Sequence, residues 1–406
     1  MRPGLRTTLV AAALTAACSA PPVPSPATTS APEIAPASAA SPDARRAGAI
    51  ADTVRAVLQR GLADRAYPGA VAVVGNADGI LAIHAVGTTD WNGSVAVDSQ
   101  TVWDIASLTK VTGMTSAVMQ LVESGRVKLD APAQRYVPEW QGPNKDRVTI
   151  RHLLTHTSGL PSFRAYDRIT TRADSIAALI MAEPLTWAPG DTMVYSDLGA
   201  YILGRVVERV SGESLDQYVV RHVFAPLGMN DTRYNPPAAW RARIAPTEID
   251  SLRGGKVHGA VHDERAYYLG GVSAHAGIFS SARDLARLAR LYLNDGTLDG
   301  VRLFSPQTIA TFTARQRESR ALGWEKPTGR NSAGRCMSER AFGHTGFTGT
   351  SMWMDPEHDL FVILLSNRVN PTRDNPRLGR VRTALADGVL LASATAAPTS
   401  STAVCQ

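Results

Sequence analysis

From residue 47 onward, the pattern of apolar and polar positions predicts one helix followed by two strands. Residues 47–63 carry apolar side chains at helical spacing. Two apolar runs, 70–74 and 80–86, come next, and Asn76-Ala77-Asp78-Gly79 lies between them. Short apolar runs joined by such turn-forming residues predict a β-hairpin.

The C-terminal end repeats this pattern in reverse order. Residues 350–354 and 360–365 are strand-like runs across an Asp355-Pro356 turn, and residues 377–392 form an amphipathic helical pattern. About 250 residues with clear helix caps separate the two ends. The predicted fold is therefore α/β: an antiparallel sheet built from both chain ends, flanked by terminal helices and interrupted by a large helical insertion.

The first 46 residues have the composition of an exported protein. Residues 1–17 combine two arginines with a short apolar stretch, which predicts a signal peptide. Cys18 follows a run typical of bacterial lipoprotein processing sites, so we expect it to carry a lipid. This lipid would anchor the protein to a bacterial membrane, facing the periplasm or the cell exterior. Ordinary signal cleavage is the alternative. Residues 18–46 contain seven prolines and predict a disordered tether.

The remaining residues divide into one large domain and a tail. We predict a single large domain over 47–392 and a flexible tail over 393–406. Cys336 and Cys405 either pair, as two cysteines of an exported protein can, or remain free thiols.

Composition excludes several classes of protein. Apolar residues make up 44% of the chain, which excludes a disordered or collagen-like protein. The net charge is +6 without a run of like charge, so we expect no nucleic-acid partner. Only five of the 42 basic residues are lysines, which draws attention to each lysine. The sequence does not define the number of subunits.

Ser107 and Lys110 are the first candidate for chemistry. They lie three residues apart at the start of the apolar segment 111–122, so their side chains share one helix face. A serine needs an adjacent base to become a nucleophile, and a lysine enclosed by apolar walls or other cations loses its proton near neutral pH. An N-cap serine is the structural alternative.

Two further segments bring candidate proton carriers and substrate contacts. Tyr195 precedes a predicted helix at 198–210, where its phenol would point into a cleft and relay a proton beside a lysine; a packed tyrosine is the alternative. Gly343-His344-Thr345-Gly346 combines glycines that permit close backbone approach with a histidine and a hydroxyl. A glycine-rich turn beside an edge strand is the alternative there.

Together these segments resemble the serine β-lactamase and penicillin-binding-protein superfamily, in its class C β-lactamase-like branch of DD-peptidases, esterases and amidases. The resemblance rests on four segments and covers roughly residues 47–392. The segments are Asp104-Ile-Ala-Ser-Leu-Thr-Lys110, His152-Leu-Leu-Thr-His-Thr-Ser-Gly-Leu160, Tyr195-Ser-Asp-Leu-Gly199 and Gly343-His-Thr-Gly-Phe-Thr-Gly349. Two more segments, 261–264 and 269–277, resemble a subgroup of cell-wall-associated hydrolases.

The resemblance implies a role for each matching residue. Ser107 would be acylated, Lys110 would accept its proton, and Tyr195 would relay a proton to the leaving group. The N–H groups of Ser107 and Phe347 would form an oxyanion hole. His344 and Thr345, with Gly346 beside them, would orient a carboxylate or carbonyl of the substrate.

Two positions depart from class C β-lactamases and lower the expected β-lactam hydrolysis. His344 replaces a lysine, and we expect this histidine to titrate near neutral pH. Asp197 replaces a common asparagine, so an amide donor to the substrate is missing. The expected function is cleavage of an amide or ester bond without a cofactor, and the expected substrate is a cell-wall peptide. The substrate partner is a peptidoglycan peptide or another small molecule, and the enzymatic alternatives are a carboxylesterase and a weak β-lactamase.

Three other readings compete with this one. The pairs His152/His156 and His258/His262 have the spacing of metal ligands but lack a H-E-x-x-H glutamate, so we predict no metal site. The segment Gly271-Val-Ser-Ala-His275 ends in histidine, which disfavours a lipase-type G-x-S-x-G elbow. A β-lactam- or peptidoglycan-binding protein with little turnover is the non-enzymatic alternative.

Overall fold

A computed structural model describes residues 8, 9, 11, 41–93, 95–395 and 405. The candidate lipid attachment site Cys18, and nearly all of the predicted signal peptide and tether, lie outside these residues. The described residues from Ser41 onward belong to one compact unit.

Ten α-helices and twelve strands occur in the described part of the chain. The α-helices are α1 (Pro42–Ala63), α2 (Ser116–Glu123), α3 (Ile150–Leu154), α4 (Ala173–Ala182), α5 (Asp197–Ser211), α6 (Leu215–Val219), α7 (Glu264–Tyr268), α8 (Ala282–Leu293), α9 (Pro306–Thr313) and α10 (Leu378–Thr395). The strands are β1 (Gly69–Gly75), β2 (Ile80–Gly87), β3 (Val102–Asp104), β4 (Arg233–Tyr234), β5 (Ile249–Asp250), β6 (Gly255–Lys256), β7 (Ile278–Ser281), β8 (Thr297–Leu298), β9 (Val301–Arg302), β10 (Phe342–Gly346), β11 (Thr350–Asp355) and β12 (Leu360–Ser366).

The main sheet joins the two ends of the chain, as predicted. Its five strands lie in the order β10-β11-β12-β1-β2 and every neighbouring pair is antiparallel. The N-terminal strand β1 pairs with the C-terminal strand β12, in a register that sets Val71 opposite Leu365. In this strand order β10, which carries His344 and Thr345, is an edge strand of the sheet.

Both faces of the sheet are buried, which explains the uninterrupted apolar runs of its central strands. Successive side chains of a strand point to opposite faces. Val71 and Val73 of β1 accordingly pack into the core shared with the insertion, whereas Ala72 and Val74 pack beneath the terminal helices. Helices α1 and α10 pack against each other and cover this second face, so the predicted flanking helices are confirmed.

The terminal helices extend beyond the predicted domain limits. Helix α1 begins at Pro42 rather than residue 47, because Ser41 caps it by accepting the Ala44 N–H and proline suits the first helical turn. Helix α10 continues to Thr395, where Arg46 Nε donates a hydrogen bond to Ser393 Oγ at 2.8 Å. Beyond that helix, Cys405 forms a disulfide with Cys336, so the two cysteines that the sequence left open are paired.

None of the helices in the described ranges has the length and apolar character that a membrane-spanning helix requires.

Candidate active site

Ser107 lies in a tight helical turn that directly follows strand β3. The residue before it, Ala106, has a φ of 47°, a left-handed conformation that is unfavourable for a residue with a Cβ atom. Asp104 holds this turn, because its Oδ1 accepts the Ala106 N–H at 2.8 Å. The side chain of Asp104 is buried, and burial raises the pKa of its carboxyl group.

Lys110 begins a π-helical segment, Lys110–Thr115, that leads into α2. Its Nζ lies 3.1 Å from Ser107 Oγ, 3.0 Å from the His275 carbonyl oxygen and 2.8 Å from Asp197 Oδ1. The predicted serine–lysine contact is therefore present.

The charge of Lys110 differs from the expectation. Burial favours the neutral amine, but the carboxylate of Asp197 and the phenol of Tyr195 outweigh it, so the pKa of Lys110 is raised. The amine is not enclosed only by apolar walls and cations, as the sequence suggested. In the resting protein Lys110 is an ammonium ion.

Asp197 explains this difference. It begins α5, and its Oδ2 accepts a hydrogen bond from Arg265 Nη2 at 2.5 Å while Oδ1 binds Lys110. Burial raises the pKa of a carboxyl group, but Lys110, His275 and Arg265 together hold the pKa of Asp197 far below its usual value. Asp197 is therefore a partly buried anion between two cations.

Asp197, Asp263 and His275 have the spacing of a metal site, because one ligand atom of each lies within 4.8 Å of the others. Two cationic side chains already neutralise the carboxylates of this group: Lys110 binds Asp197, and Arg265 contacts both Asp197 and Asp263. We therefore assign the group to an ion-pair network.

Tyr195 lies over the same lysine. Lys110 Nζ is 4.8 Å from the centre of its ring, and the guanidinium carbon of Arg320 is 5.2 Å from it. The hydroxyl group is buried and has no hydrogen-bond partner among the described residues. A phenol near Ser107 and Lys110 with no other partner is placed to exchange a proton there.

Of the two histidines in the 152–160 segment, His156 packs against this tyrosine and His152 caps a helix. His156 Nδ1 accepts the Ser196 N–H at 3.1 Å, and its ring lies 4.6 Å from that of Tyr195. Burial lowers the pKa of His156 well below its usual value, so the ring is neutral. His152 Nδ1 accepts the Thr149 N–H within the cap of α3.

His344 lies on the edge strand with its ring 5.7 Å from that of Tyr195. Its Nδ1 donates to the Thr345 carbonyl at 2.8 Å, which leaves Nε2 as a buried acceptor without a partner in the described part of the chain. Burial, together with the charges of Arg320 and Lys110, lowers the pKa of His344 to about 3. The expectation that His344 titrates near neutral pH is therefore wrong.

The turn after β10 lies against the turn that carries Ser107. A Cβ atom on Gly346 would collide with the Ile105 carbonyl and the Thr350 hydroxyl, so this close approach requires glycine. Thr350 Oγ1 also donates to the Ile105 carbonyl at 3.0 Å. These two adjoining turns carry the backbone N–H groups of Ser107 and Phe347, which the resemblance assigns to an oxyanion hole.

On its outer side, β10 is already paired at one residue. Gly343 exchanges two backbone hydrogen bonds with Glu325, at 2.8 and 2.9 Å. Thr345, two residues further, faces the same side of the strand.

Two cavities meet at Ser107 and Tyr195. The first, about 320 Å³, is rich in arginine: Arg320, Arg368 and Arg382 line it together with His344 and Thr345. The Nε and Nη1 atoms of Arg320 are buried there and lack partners among the described residues. An anionic group of a ligand would satisfy these donors.

The second cavity, about 440 Å³, lies on the other side of Ser107. Asp197, Asp263 and Arg265 line it, together with two half-exposed aromatic rings, Phe163 and Phe347. This cavity offers apolar surface and balanced charge to the other half of a substrate.

Sequence reasoning placed Ser107, Lys110, Tyr195 and His344 at one site, and the structure brings these four side chains together. The sequence patterns gave no role at the site to four further residues: Arg320, Arg265, Asp263 and His275. The last three lie in the segments 261–264 and 269–277 or between them, and the resemblance of these segments to a subgroup was the available signal. Arg320 lies in no motif that we identified.

The sequence pattern of the β-lactamase family matches residues 54–387. A Salmonella agona protein named "Putative D-alanyl-D-alanine carboxypeptidase" is 32% identical over 317 residues, which cover 70% of this chain and 73% of that protein. The chain therefore belongs to the β-lactamase family, within the superfamily of serine β-lactamases and penicillin-binding proteins. It is a serine hydrolase that acts on amide or ester bonds.

Solved structures share the fold at low sequence identity. A penicillin-binding-protein homologue from Caulobacter crescentus superposes with a TM-score of 0.70 at 22% identity, over 86% of this chain and 97% of the other. A class C β-lactamase mutant superposes with a TM-score of 0.68 at 22% identity, over 83% and 96% of the two chains. A family VIII carboxylesterase gives a TM-score of 0.67 at 23% identity, over 84% and 97%.

Proposed function

We propose that this serine hydrolase is a carboxypeptidase that removes a terminal amino acid from a peptide of the bacterial cell wall. The observation that carries the proposal is Arg320, which lines the cavity beside Ser107 and whose Nε and Nη1 have no partner among the described residues. A free carboxylate on the leaving group would satisfy them, and the α-carboxylate of a C-terminal residue lies next to the scissile bond.

In the proposed reaction Ser107 Oγ attacks the carbonyl carbon of the scissile amide. Its proton passes to the neutral amine of Lys110, 3.1 Å away, in the fraction of molecules where Lys110 has lost its own proton. The N–H groups of Ser107 and Phe347 stabilise the negative oxygen that forms. Tyr195 then relays a proton from Lys110 to the departing amine, and the acyl group remains on Ser107.

Water completes the cycle by attacking the acyl carbon, and its proton passes in the reverse direction, through Tyr195 and Lys110, to the departing Ser107 Oγ. The bond between Ser107 and the acyl group breaks, and the shortened peptide leaves with a new carboxylate.

Substrate binding follows from the two cavities. Arg320 and the Thr345 hydroxyl would hold the carboxylate of the leaving residue in the arginine-rich cavity. His344 does not donate to that carboxylate, because its Nδ1 proton is engaged with the Thr345 carbonyl and Nε2 is an acceptor. The remainder of the peptide would lie in the second cavity, between Phe163 and Phe347.

The relatives agree with this substrate class. The Salmonella protein at 32% identity carries a name that specifies D-alanyl-D-alanine carboxypeptidase activity, and the Caulobacter neighbour is a penicillin-binding-protein homologue. The export signal over residues 1–17 and lipidation of Cys18 would bring the enzyme to the compartment where the cell wall lies. We propose both, since they would hold the domain at a membrane within reach of its substrate.

Digestion of purified muropeptides, followed by mass spectrometry, tests the proposal. The wild type should release one terminal residue from pentapeptides, and the Ser107→Ala variant should release none. Intact-mass measurement with a penicillin should show an adduct on the wild type only. Unchanged muropeptides together with Ser107-dependent cleavage of simple esters would replace the carboxypeptidase by an esterase.

A further inference from the structure

Five side chains around Lys110 form a closed ring of hydrogen bonds and ion pairs. Lys110 binds Asp197 Oδ1 at 2.8 Å, and Arg265 Nη2 binds Asp197 Oδ2 at 2.5 Å. Arg265 also lies 3.5 Å from Asp263, whose other oxygen is 2.9 Å from His275 Nε2. The His275 carbonyl then accepts from Lys110 at 3.0 Å and closes the ring.

Arg265 and Asp263 are the members of this ring that, among the described residues, form no hydrogen bond or ion pair with Ser107 or Lys110. The side chain of Arg265 is only 1% exposed, and Phe163 covers one face of the guanidinium at 4.3 Å. Its Nη2 binds Asp197, and no described residue accepts from Nε or Nη1. The main effect of this guanidinium is therefore on the two carboxylates.

Asp197 is shared between two cations, and they compete for its charge. A carboxylate stabilises a neighbouring ammonium ion, and a second cation on the same carboxylate weakens that stabilisation. In the proposed function the amine of Lys110 accepts the Ser107 proton only when it is neutral. The ion pair with Asp197 favours the ammonium form of Lys110, so it lowers the fraction of neutral amine and with it the rate of acylation.

We propose that Arg265 is a positioning residue that acts through Asp197 to set the fraction of Lys110 able to accept the Ser107 proton. This inference rests on the proposed function of Lys110 as proton acceptor. The charged and titratable groups that face Lys110 are Asp197 and Tyr195, with Arg320, His156, His344 and His275 around them. The first two of those histidines are neutral, so Asp197 is the anion that controls the lysine.

The test compares acylation rates of the wild type, Arg265→Gln, Asp197→Asn and the double variant with an activated ester, from about pH 7 to 10. Arg265→Gln leaves Asp197 entirely to Lys110, so the rate should fall about tenfold at every pH below the titration of the lysine. Asp197→Asn should raise the rate at neutral pH. Arg265→Gln in the Asp197→Asn background should change nothing further, because the carboxylate through which it acts is gone.

Two controls distinguish this role from structural support. Arg265→Lys keeps the charge and should recover most of the rate. Arg287→Gln breaks an ion pair with Asp299 in a helix elsewhere in the insertion and should leave the rate unchanged. Equal losses from Arg265→Gln in both backgrounds would overturn the proposal and leave Arg265 a structural residue.

A second measurement does not depend on activity. Because the chain has only five lysines, ¹³C labelling of the lysine ε-carbons gives few NMR signals, and Lys110→Arg identifies the one of interest. Arg265→Gln should raise the pKa of Lys110, and Asp197→Asn should lower it. An unmoved signal refutes the inference, whereas absent Ser107-dependent acylation with a moved signal refutes only the proposed function.

Discussion

The main-chain N–H of His262 lies 2.6 Å from Oδ2 of Asp104, although the two residues are 158 positions apart. The same carboxylate holds the Ala106 N–H beside Ser107, and the Asp104 carbonyl accepts from the Thr348 hydroxyl at 2.7 Å. One buried side chain therefore aligns the turn that carries Ser107 with the loop that carries Asp263. Its backbone also ties that turn to the one that carries Phe347.

We expect Asp104→Asn to impair both folding and acylation. An amide offers one acceptor oxygen where two N–H groups need one each, so a buried donor is left unsatisfied at a cost of about 1–3 kcal/mol. The rate should fall because Ala106 loses the contact that holds its left-handed conformation. Chemical denaturation and acylation kinetics measure the two effects.

Asp355→Asn is the matched control for that variant. Asp355 is also fully buried and accepts the Ser338 N–H and hydroxyl at 2.7 and 2.6 Å, but it lines neither cavity at Ser107. It should lose similar stability and keep the wild-type rate constant. An equal loss of rate in both variants would mean that Asp104 matters only for stability.

Arg320→Gln should reduce kcat/KM about 10- to 100-fold for peptides that end in a free carboxylate, because a charge-assisted hydrogen bond is lost. The same variant should process a peptide with an amidated C-terminus as slowly as the wild type does. Parallel assays of the two peptides measure the difference. A uniform loss on both would assign Arg320 to the support of Tyr195 instead.

His344 should make the protein less stable in acid. Its folded-state pKa of about 3 lies below its ordinary value of 6.5, so the unfolded chain binds a proton below pH 6.5 that the folded protein does not bind. The stability that depends on neutral His344 is present above pH 6.5 and is lost as the pH falls. Between pH 7 and 5 this loss is about 2 kcal/mol.

Denaturation of the wild type and His344→Gln at both pH values measures this contribution. The variant should lose about 2 kcal/mol less than the wild type on acidification. His358→Gln is a control of opposite sign, since the hydrogen bond to Asp355 raises the pKa of His358 and stabilises the protein at low pH. Equal pH dependence in the wild type and His344→Gln would contradict a neutral buried His344.

Gly346→Ala should abolish acylation and lower stability, because the added methyl group meets the Ile105 carbonyl and the Thr350 hydroxyl. Separation of the two turns would move the Phe347 N–H away from Ser107. Gly379→Ala in α10 is the matched change, since no atom lies within 4 Å of its new methyl group. Kinetics and thermal denaturation of the pair should differ, and comparable behaviour would exclude a steric role for Gly346.

Sequence patterns predicted the elements that depend on local periodicity. The two hairpins of the main sheet, the helices α1 and α10, and the contact between Ser107 and Lys110 all arise from residues close in sequence or from repeated spacing. The start of α1 was missed by five residues because a proline-rich composition concealed a Ser41 cap.

Charge relationships within the site were not predictable in the same way. Arg265 is 68 positions from Asp197, and His275 is 165 positions from Lys110, so no local motif reports their contacts. For the same reason the composition around Lys110 suggested a neutral amine, whereas the fold places an anion beside it. His344 likewise looked like a titrating residue until the fold buried it beside two cations.

The pairing of Gly343 with Glu325 has a consequence for the length of substrate that the edge strand accepts. Because Glu325 occupies the outer hydrogen bonds at Gly343, an incoming peptide can pair with this edge only from Thr345 onward, toward Phe347. Under the proposed function, the side of β10 next to Thr345 remains open to the short end of a peptide, whereas the strand toward Gly343 is already occupied.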